Sequence, residues 1–462
     1  MLLEMAADGF GERVAVGTGE ASLTFSDLRR HATAIAARLH DSRPTVALLA
    51  ETSPLVPVAL FGAAWTGVPY APLNYRLPAE ARQGLLARLA PVEIADDSWL
   101  DAPATPSAPY PDDPTAPAVL LFTSGTTAEP KAATLAHDQL LAYLFNTVEF
   151  GSAGDDEAVL VAVPPFHIAG VAAILSSTYA GRRVVPLPRF SPEAWLAVTA
   201  QEGVTHAFVV PTMLARIVGQ IEQDPDVDVS SLRHLAYGGS RMPTPILERA
   251  LTLFPNADFV NAYGLTETSS TVCILGPDDH RAAQHSADAT VRARLGSVGR
   301  PVPGVEVRVV DGEIQVRGAQ VSGDYVGQGS QRDADDWLHT GDRGRMDDDG
   351  YVFVDGRGDD TIIRGGENLA PAEIEDTLLR HPAVAGAAVV GIPDEEWGEQ
   401  VAAMVVARPG VSLDPDDLRG YVRDHLGSLK TPQVLVVTDE LPHTATGKIL
   451  RREVRAGLAE RR

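Results

Sequence analysis

Five short apolar runs, each stopped by glycine, proline or a hydroxyl residue, constrain this chain more than any other feature. They occupy residues 118–122, 158–163, 205–210, 234–237 and 259–263. Each has the length of a buried strand. Further strand-like runs at 45–50 and 68–73 flank an alanine-rich helical stretch at 56–66 that ends at Gly67. Upstream, Leu28, Ala32, Ile35, Ala36 and Leu39 fall on one face at helical spacing, with Ser26 as the expected N-cap. Strand alternating with helix predicts a parallel sheet covered on both faces. Ligands of such sheets sit beyond the carboxyl ends of the strands. Those ends carry Thr123-Ser124-Gly125-Thr126-Thr127, Pro164-Pro165-Phe166-His167, Gly238-Gly239-Ser240 and Gly264-Leu265-Thr266-Glu267.

The first of these ends reads as a phosphate grip. Backbone N–H groups and hydroxyls supply donors, and Lys131 supplies charge. It is not a P-loop, whose lysine opens a helix after a fixed glycine spacing. Residues 101–117, rich in Pro, Ala and Asp, read as a connector leading into it. From residue 299 the pattern changes to short β-like runs at 305–310 and 313–317, which predict a small antiparallel unit. A turn follows at 347–350. After Gly358 about a hundred residues read as a compact α+β domain, with a strand at 361–364, the pair Gly365-Gly366, a helix at 371–380 and a strand at 384–390.

Composition narrows the setting. At 462 residues the chain is too long for one ordinary core. A formal net charge of −24 argues against nucleic acid or an anionic membrane as partner. The single cysteine, Cys273, rules out a disulfide within one chain and fits a reducing compartment. Residues 1–16 do not resemble a secretory signal, and no run of about 18 apolar residues predicts a membrane span. The expected location is cytoplasmic.

Five separated stretches, in order, resemble those of the adenylate-forming superfamily of acyl- and aryl-CoA synthetases, peptide-synthetase adenylation domains and luciferases. They are residues 123–131, Tyr263-Gly264-Leu265-Thr266-Glu267, Thr340-Gly341-Asp342, the stretch from Arg357-Gly358-Asp359-Asp360 to Gly365-Gly366-Glu367-Asn368, and Pro442-His443-Thr444-Ala445-Thr446-Gly447-Lys448. The resemblance implies an α/β fold. A large N-terminal domain, residues 1–357, would hold two parallel-type sheets covered by helices plus a small β subdomain. A small mobile α+β domain, residues 358–462, would carry the catalytic lysine. It implies ATP, Mg2+ and CoA as reactants.

By the same resemblance, Thr123, Ser124, Gly125, Thr126, Thr127 and Lys131 grip phosphate, and Glu267 is the Mg2+ ligand. Thr266 bonds the α-phosphate. Asp342 and Arg357 hold the ribose. Gly238, Gly239, Ser240, Asn261, Ala262, Tyr263 and Gly264 line the nucleotide slot, with the Tyr263 ring on the base. Lys448 bridges carboxylate and α-phosphate, and Asp359 is the hinge. His167, Gly239 and Gly264 border the acyl pocket, with His167 as its gate. Gly365, Gly366, Asn368, Trp397 and Lys430 face CoA.

The residue types suit the chemistry, because activating a carboxylate requires alignment with phosphorus and neutralisation of the developing charge. Two departures matter. Ala128 and Ala132 stand where the family usually has glycine, and both restrict positive φ. In Leu429-Lys430-Thr431-Pro432-Gln433 only Lys430 is basic, where related ligases often carry more. A carrier protein therefore stays open as acceptor, a non-catalytic adenylate-binding relative stays open as a second class, and a homodimer is left open. His167 stands where amino-acid-activating relatives present an aspartate, and Ala262 where malonate-type ligases present an arginine. The expected substrate is an apolar monocarboxylic acid.

Overall fold

The computed structural model describes residues 1–39, 41–101, 113–123, 130–394, 396–444 and 447–460. Ser124, Gly125, Thr126, Thr127 and Ala128 lie outside the described residues, as do the side chains of Asp359 and Asn368.

Four sheets organise the described residues. The largest has Ala158–Val161, His206–Val209, His234–Gly238 and Asp258–Leu265 side by side and parallel. Ser270–Leu275 and Arg300–Pro301 extend it antiparallel at one edge. The second sheet sets Thr45–Leu48, Tyr70–Pro72, Val92–Ala95 and Pro117–Thr123 parallel, then turns antiparallel through Lys131–Ala136 and Asp324–Tyr325. The predicted parallel sheets thus have antiparallel edges, where hairpins replace helical crossovers. One apolar core packs Leu28, Ile35, Leu48, Val58 and Val119 together with Val161 and Ile174 from beside the largest sheet. A third, antiparallel sheet contains Val305–Val310, Glu313–Gly318, Leu338–Met346 and Val352–Arg357.

The C-terminal lobe has its own sheet and core. Val384–Asp394 and Gly398–Ala407 pair antiparallel along their length, and Val434–Thr438 lies parallel to the second. Ile374 and Leu378, on the helix Pro371–Arg380, bury against Val389, Val401 and Val405. The predicted helix bounds are met here because Pro371 opens the first turn and the apolar spacing ends at Arg380.

Two local expectations need correction. The helix over Phe25–Leu39 begins earlier than expected, and Ser26 lies inside it. Thr24 is the capping residue. Its hydroxyl accepts from the Asp27 N–H at 3.0 Å, and the Asp27 carboxylate accepts from the Thr24 N–H at 3.1 Å. Ala132 sits in the strand Lys131–Ala136, paired with Phe122, and is not among the residues with positive φ. Its side chain is therefore compatible with the backbone, and the left-handed conformation that alanine would resist is not required there.

Candidate active site

The carboxyl ends of the parallel strands converge as the pattern predicts. Tyr237 pairs with Asn261 and Gly238 with Ala262, which sets the predicted nucleotide slot on two adjacent strands. The backbones at Gly264 and Ser270 approach so closely that a Cβ on Gly264 would overlap the Ser270 carbonyl. Thr266–Thr268 then forms a 3-10 turn that presents Glu267. Asn261 is buried and donates one N–H of its side-chain amide to the Ser297 carbonyl at 3.1 Å, so that donor serves the fold.

Asp342 is the hub of the cleft. It pairs in register with Arg357 across two neighbouring strands. Arg357 Nε lies 3.0 Å from one carboxylate oxygen, and Tyr263 donates its hydroxyl to the other at 2.7 Å. Arg357 also donates to the Thr340 carbonyl at 2.6 Å, which fixes its guanidinium. Asp342 is 6% exposed. Burial pushes its carboxyl above the usual range despite the opposing pull of Arg357, the Tyr263 hydroxyl and Lys448.

Lys448, on the C-terminal lobe, lies near enough to this carboxylate for the two charges to influence each other. Desolvation pushes its ammonium below the usual lysine range, Arg357 adds to that, and Asp342 and Asp360 oppose it. The residue as a whole is exposed. The turn that carries it is closed by the Lys448 N–H donating to the Thr444 hydroxyl at 3.0 Å. Gly447 rests on the helix Pro211–Gln223 so closely that a Cβ would overlap the Thr212 hydroxyl.

Two of the residues expected to hold phosphate, Thr123 and Lys131, are linked through Tyr325 to Glu267. Thr123 and Lys131 face each other across a hairpin, and Lys131 Nζ lies 5.5 Å from the centre of the Tyr325 ring. The Tyr325 hydroxyl donates to a Glu267 carboxylate oxygen. Burial and that carboxylate raise the phenol above its ordinary value. Tyr325 was not singled out by the sequence. Its only local signal is a short glycine-flanked stretch, and its partner lies 58 residues away.

His167 precedes the helix Ile168–Ala180, next to Phe166 and near Tyr75. Its Nε2 is buried without a hydrogen-bond partner among the described residues. Burial first, then Arg76, pushes its pKa down to about 4, so the imidazole is neutral at pH 7. Thr266 has no described side-chain hydrogen bond, leaving its hydroxyl available.

The residues expected to face CoA form a separate cluster whose contacts stay within the C-terminal lobe. Gly365 and Gly366 have φ of 59° and 84° and form the turn between the paired strands Ile362–Arg364 and Glu367–Leu369. Two successive positive φ values are what a tight hairpin turn requires, so the turn alone accounts for both glycines. Trp397, 43% exposed, packs on Gly365, and the Arg364 guanidinium lies 5.4 Å from its ring. Lys430 pairs with Glu373 at 2.6 Å, so the one basic residue of its stretch is already engaged.

The two lobes meet through charged contacts that the sequence did not reveal. Arg241 grips Asp376 with two hydrogen bonds of 3.1 and 2.5 Å, and Thr244 adds a third at 3.3 Å. Arg408 lies 3.6 Å from Glu222.

Known proteins share this organisation. A family model described as AMP-binding enzyme matches residues 3–92 and 86–326, and one described as AMP-binding enzyme C-terminal domain matches residues 373–448. A feruloyl-CoA synthase of an Amycolatopsis species is 35% identical over 96% of this chain and 95% of its own. A fatty acid–[acyl-carrier-protein] ligase of Streptomyces coeruleorubidus is also 35% identical, over 84% of this chain and 75% of its own. Among solved structures, the o-succinylbenzoate CoA synthetase of Bacillus subtilis with its acyl-adenylate superposes with a TM-score of 0.84. It is 28% identical and covers 98% of this chain and 97% of its own. The chain belongs to the AMP-binding enzyme family and is an enzyme of the ligase class. No helix among the described residues is long and apolar enough to cross a membrane.

Proposed function

We propose that this protein is an AMP-forming carboxylate–CoA ligase acting on an apolar monocarboxylic acid. It first joins the acid to AMP with release of pyrophosphate, then passes the acyl group to the CoA thiol. The observation that carries the reading is the buried Asp342 carboxylate, held by Arg357 and Tyr263, with the Lys448 charge from the small lobe near enough to act on it. Asp342 accepts from the ribose hydroxyls, as an acceptor-only side chain should. Lys448 sits between the acid carboxylate and the α-phosphate, where its charge offsets the negative charge that builds as the new bond forms. Thr266 donates to the same phosphate, and Thr123 and Lys131 hold the outgoing pyrophosphate. Ser124 to Thr127 belong to the same grip.

Glu267 is the residue suited to hold Mg2+. No group of three or more His, Cys, Asp or Glu side chains able to hold a metal occurs among the described residues. A single carboxylate fits an ion that arrives with nucleotide phosphates and keeps water ligands, which is the habit of Mg2+. When bound, that ion would supply charge neutralisation to the leaving pyrophosphate.

His167, neutral and half-buried, walls the acid site without offering a charge, which fits an apolar acyl group. Gly239 and Gly264 leave room beside it. After adenylation, rotation of the small lobe about Asp359 would withdraw Lys448 and bring Gly365, Gly366, Asn368 and Trp397 to the opening. The engagement of Lys430 with Glu373 favours a second reading for the acceptor. A carrier protein would present its pantetheine thiol without needing contacts to the CoA nucleotide, and a relative with that acceptor is 35% identical.

Exchange of labelled pyrophosphate into ATP, dependent on an acid, tests the first half-reaction. Lys448→Ala should lower it by about a thousandfold or more, as expected for removal of a charge that acts in the transition state. Conversion of supplied acyl-adenylate to thioester should be nearly spared. Equal losses in both halves would remove Lys448 from this role.

A further inference from the structure

The segment from Ser322 to Val326 ties the two walls of the cleft together. Ser322 and Gly323 donate their N–H groups to the Glu267 carbonyl at 2.8 and 3.2 Å. On its other side, Asp324 and Tyr325 pair with Thr134 and Ala133, and the Val326 N–H donates to the Ala132 carbonyl at 2.9 Å. The Ser322 hydroxyl donates to the Thr134 carbonyl. The Tyr325 side chain repeats this bridge. Its hydroxyl donates to Glu267 and its ring faces the Lys131 ammonium.

Lys131 and Glu267 carry opposite charge on facing walls, yet neither forms an ion pair with a described residue. Left to themselves, such groups attract each other strongly in a partly desolvated cleft. Paired, each would be withdrawn from the ligand it is to meet. The phenol ring offers its negative face to the ammonium. The hydroxyl occupies one carboxylate oxygen and leaves the second with its lone pairs open.

We propose that Tyr325 is a positioning residue that keeps Lys131 and Glu267 from pairing with each other and holds both ready for the phosphates and metal of Mg·ATP. The inference rests on the ligase reading above, because it takes phosphate and metal as what the two charges await. The ring and the hydroxyl divide the work: the ring places the lysine, the hydroxyl places the carboxylate.

Calorimetric titration of ATP alone, with no acid present, tests this division without turnover. Wild type, Tyr325→Phe, Tyr325→Leu and Glu267→Gln are each titrated in Mg2+ and in EDTA. Tyr325→Phe keeps the ring, so its affinity in EDTA should stay within about twofold of wild type. The gain in affinity that Mg2+ brings should fall by about tenfold, the size expected for a lost hydrogen bond to a charged group. Tyr325→Leu should lose affinity in EDTA as well, by a few fold. A Tyr325→Phe protein with the full Mg2+ gain would overturn the positioning role even if Tyr325→Leu fails to fold. If that happens while Glu267→Gln abolishes the gain, the ligase reading survives and only the part given to Tyr325 falls. Wild type that binds no ATP in either condition would overturn both.

Discussion

Asp342 shows how much one residue is asked to do at this site. It is nearly sealed from water, yet the ribose-binding role proposed for it requires it to stay charged. Arg357 and the Tyr263 hydroxyl make that tolerable. Asp342→Ala should raise the KM for ATP about ten- to a hundredfold, the cost of one to two charged hydrogen bonds, and leave the KM for the acid nearly unchanged. An equal rise in both would place Asp342 outside the ribose site. Ser269 stores strain close by. Its φ is 55° and its hydroxyl is buried without a partner among the described residues. Ser269→Gly should therefore stabilise the fold by about 1 kcal/mol in chemical unfolding, and a lower midpoint would refute this account of the turn. Residues set in short contiguous motifs, such as Glu267, Asp342 and Lys448, could be picked out from the sequence, and their roles are those proposed above. Tyr325 was not, because its meaning comes from a strand pairing and a carboxylate far along the chain. Whether alanine suits position 132 was not legible for the converse reason: loop or strand backbone at that point is set by the hairpin, and composition does not report it.

At the scale of elements, the contact between the helices Pro371–Arg380 and Thr244–Leu253 decides where the small lobe sits. Asp376 receives Arg241 and Thr244 from the large lobe, and it is only 15% exposed. A two-pronged guanidinium–carboxylate pair fixes orientation as well as distance. We expect Asp376→Ala to weaken the arrangement that holds Lys448 at Asp342. Pyrophosphate exchange should fall about five- to twentyfold, in keeping with a partly buried charged pair, while thioester formation from supplied acyl-adenylate should hold or rise. A fall in the second step alone would show that the pair belongs to the other orientation. The helix itself was readable from its proline, its apolar spacing and its basic last turn. Its docking was not, since Arg241 and Asp376 are 135 residues apart and each alone resembles an ordinary surface charge.

The whole molecule carries an acid-sensitive core. His280 is fully buried, accepting at Nε2 from Tyr237 at 2.9 Å and donating from Nδ1 to the Gly276 carbonyl at 2.7 Å. Burial pushes it, like His167, down to about 4, and pushes His206, which also faces Arg182, His234 and Arg233, down to about 2. These values lie below the ordinary histidine value of 6.5, so the unfolded chain takes up protons first. Stability is full above that value and falls as pH drops through it toward about 4, with a slope of about 1.4 kcal/mol per pH unit for each histidine. Melting temperatures measured from pH 7.5 to 4.5 should therefore decline steadily below about pH 6.5. A flat profile would mean that these rings are charged in the folded state. The division into large and small parts was legible from the change in strand pattern near residue 299 and the compact α+β stretch after Gly358. The acceptor was not, because it depends on which surface the small lobe would offer in the proposed rotation.

The most direct test of the central claim is mass spectrometry of the products formed from a pool of apolar carboxylic acids, Mg·ATP and purified protein, with and without CoA. The account predicts AMP and a new acyl-CoA mass that appear only when CoA is present. Acyl-adenylate accumulating equally with and without CoA would contradict CoA as acceptor, and no acyl product from a broad pool would contradict the ligase itself.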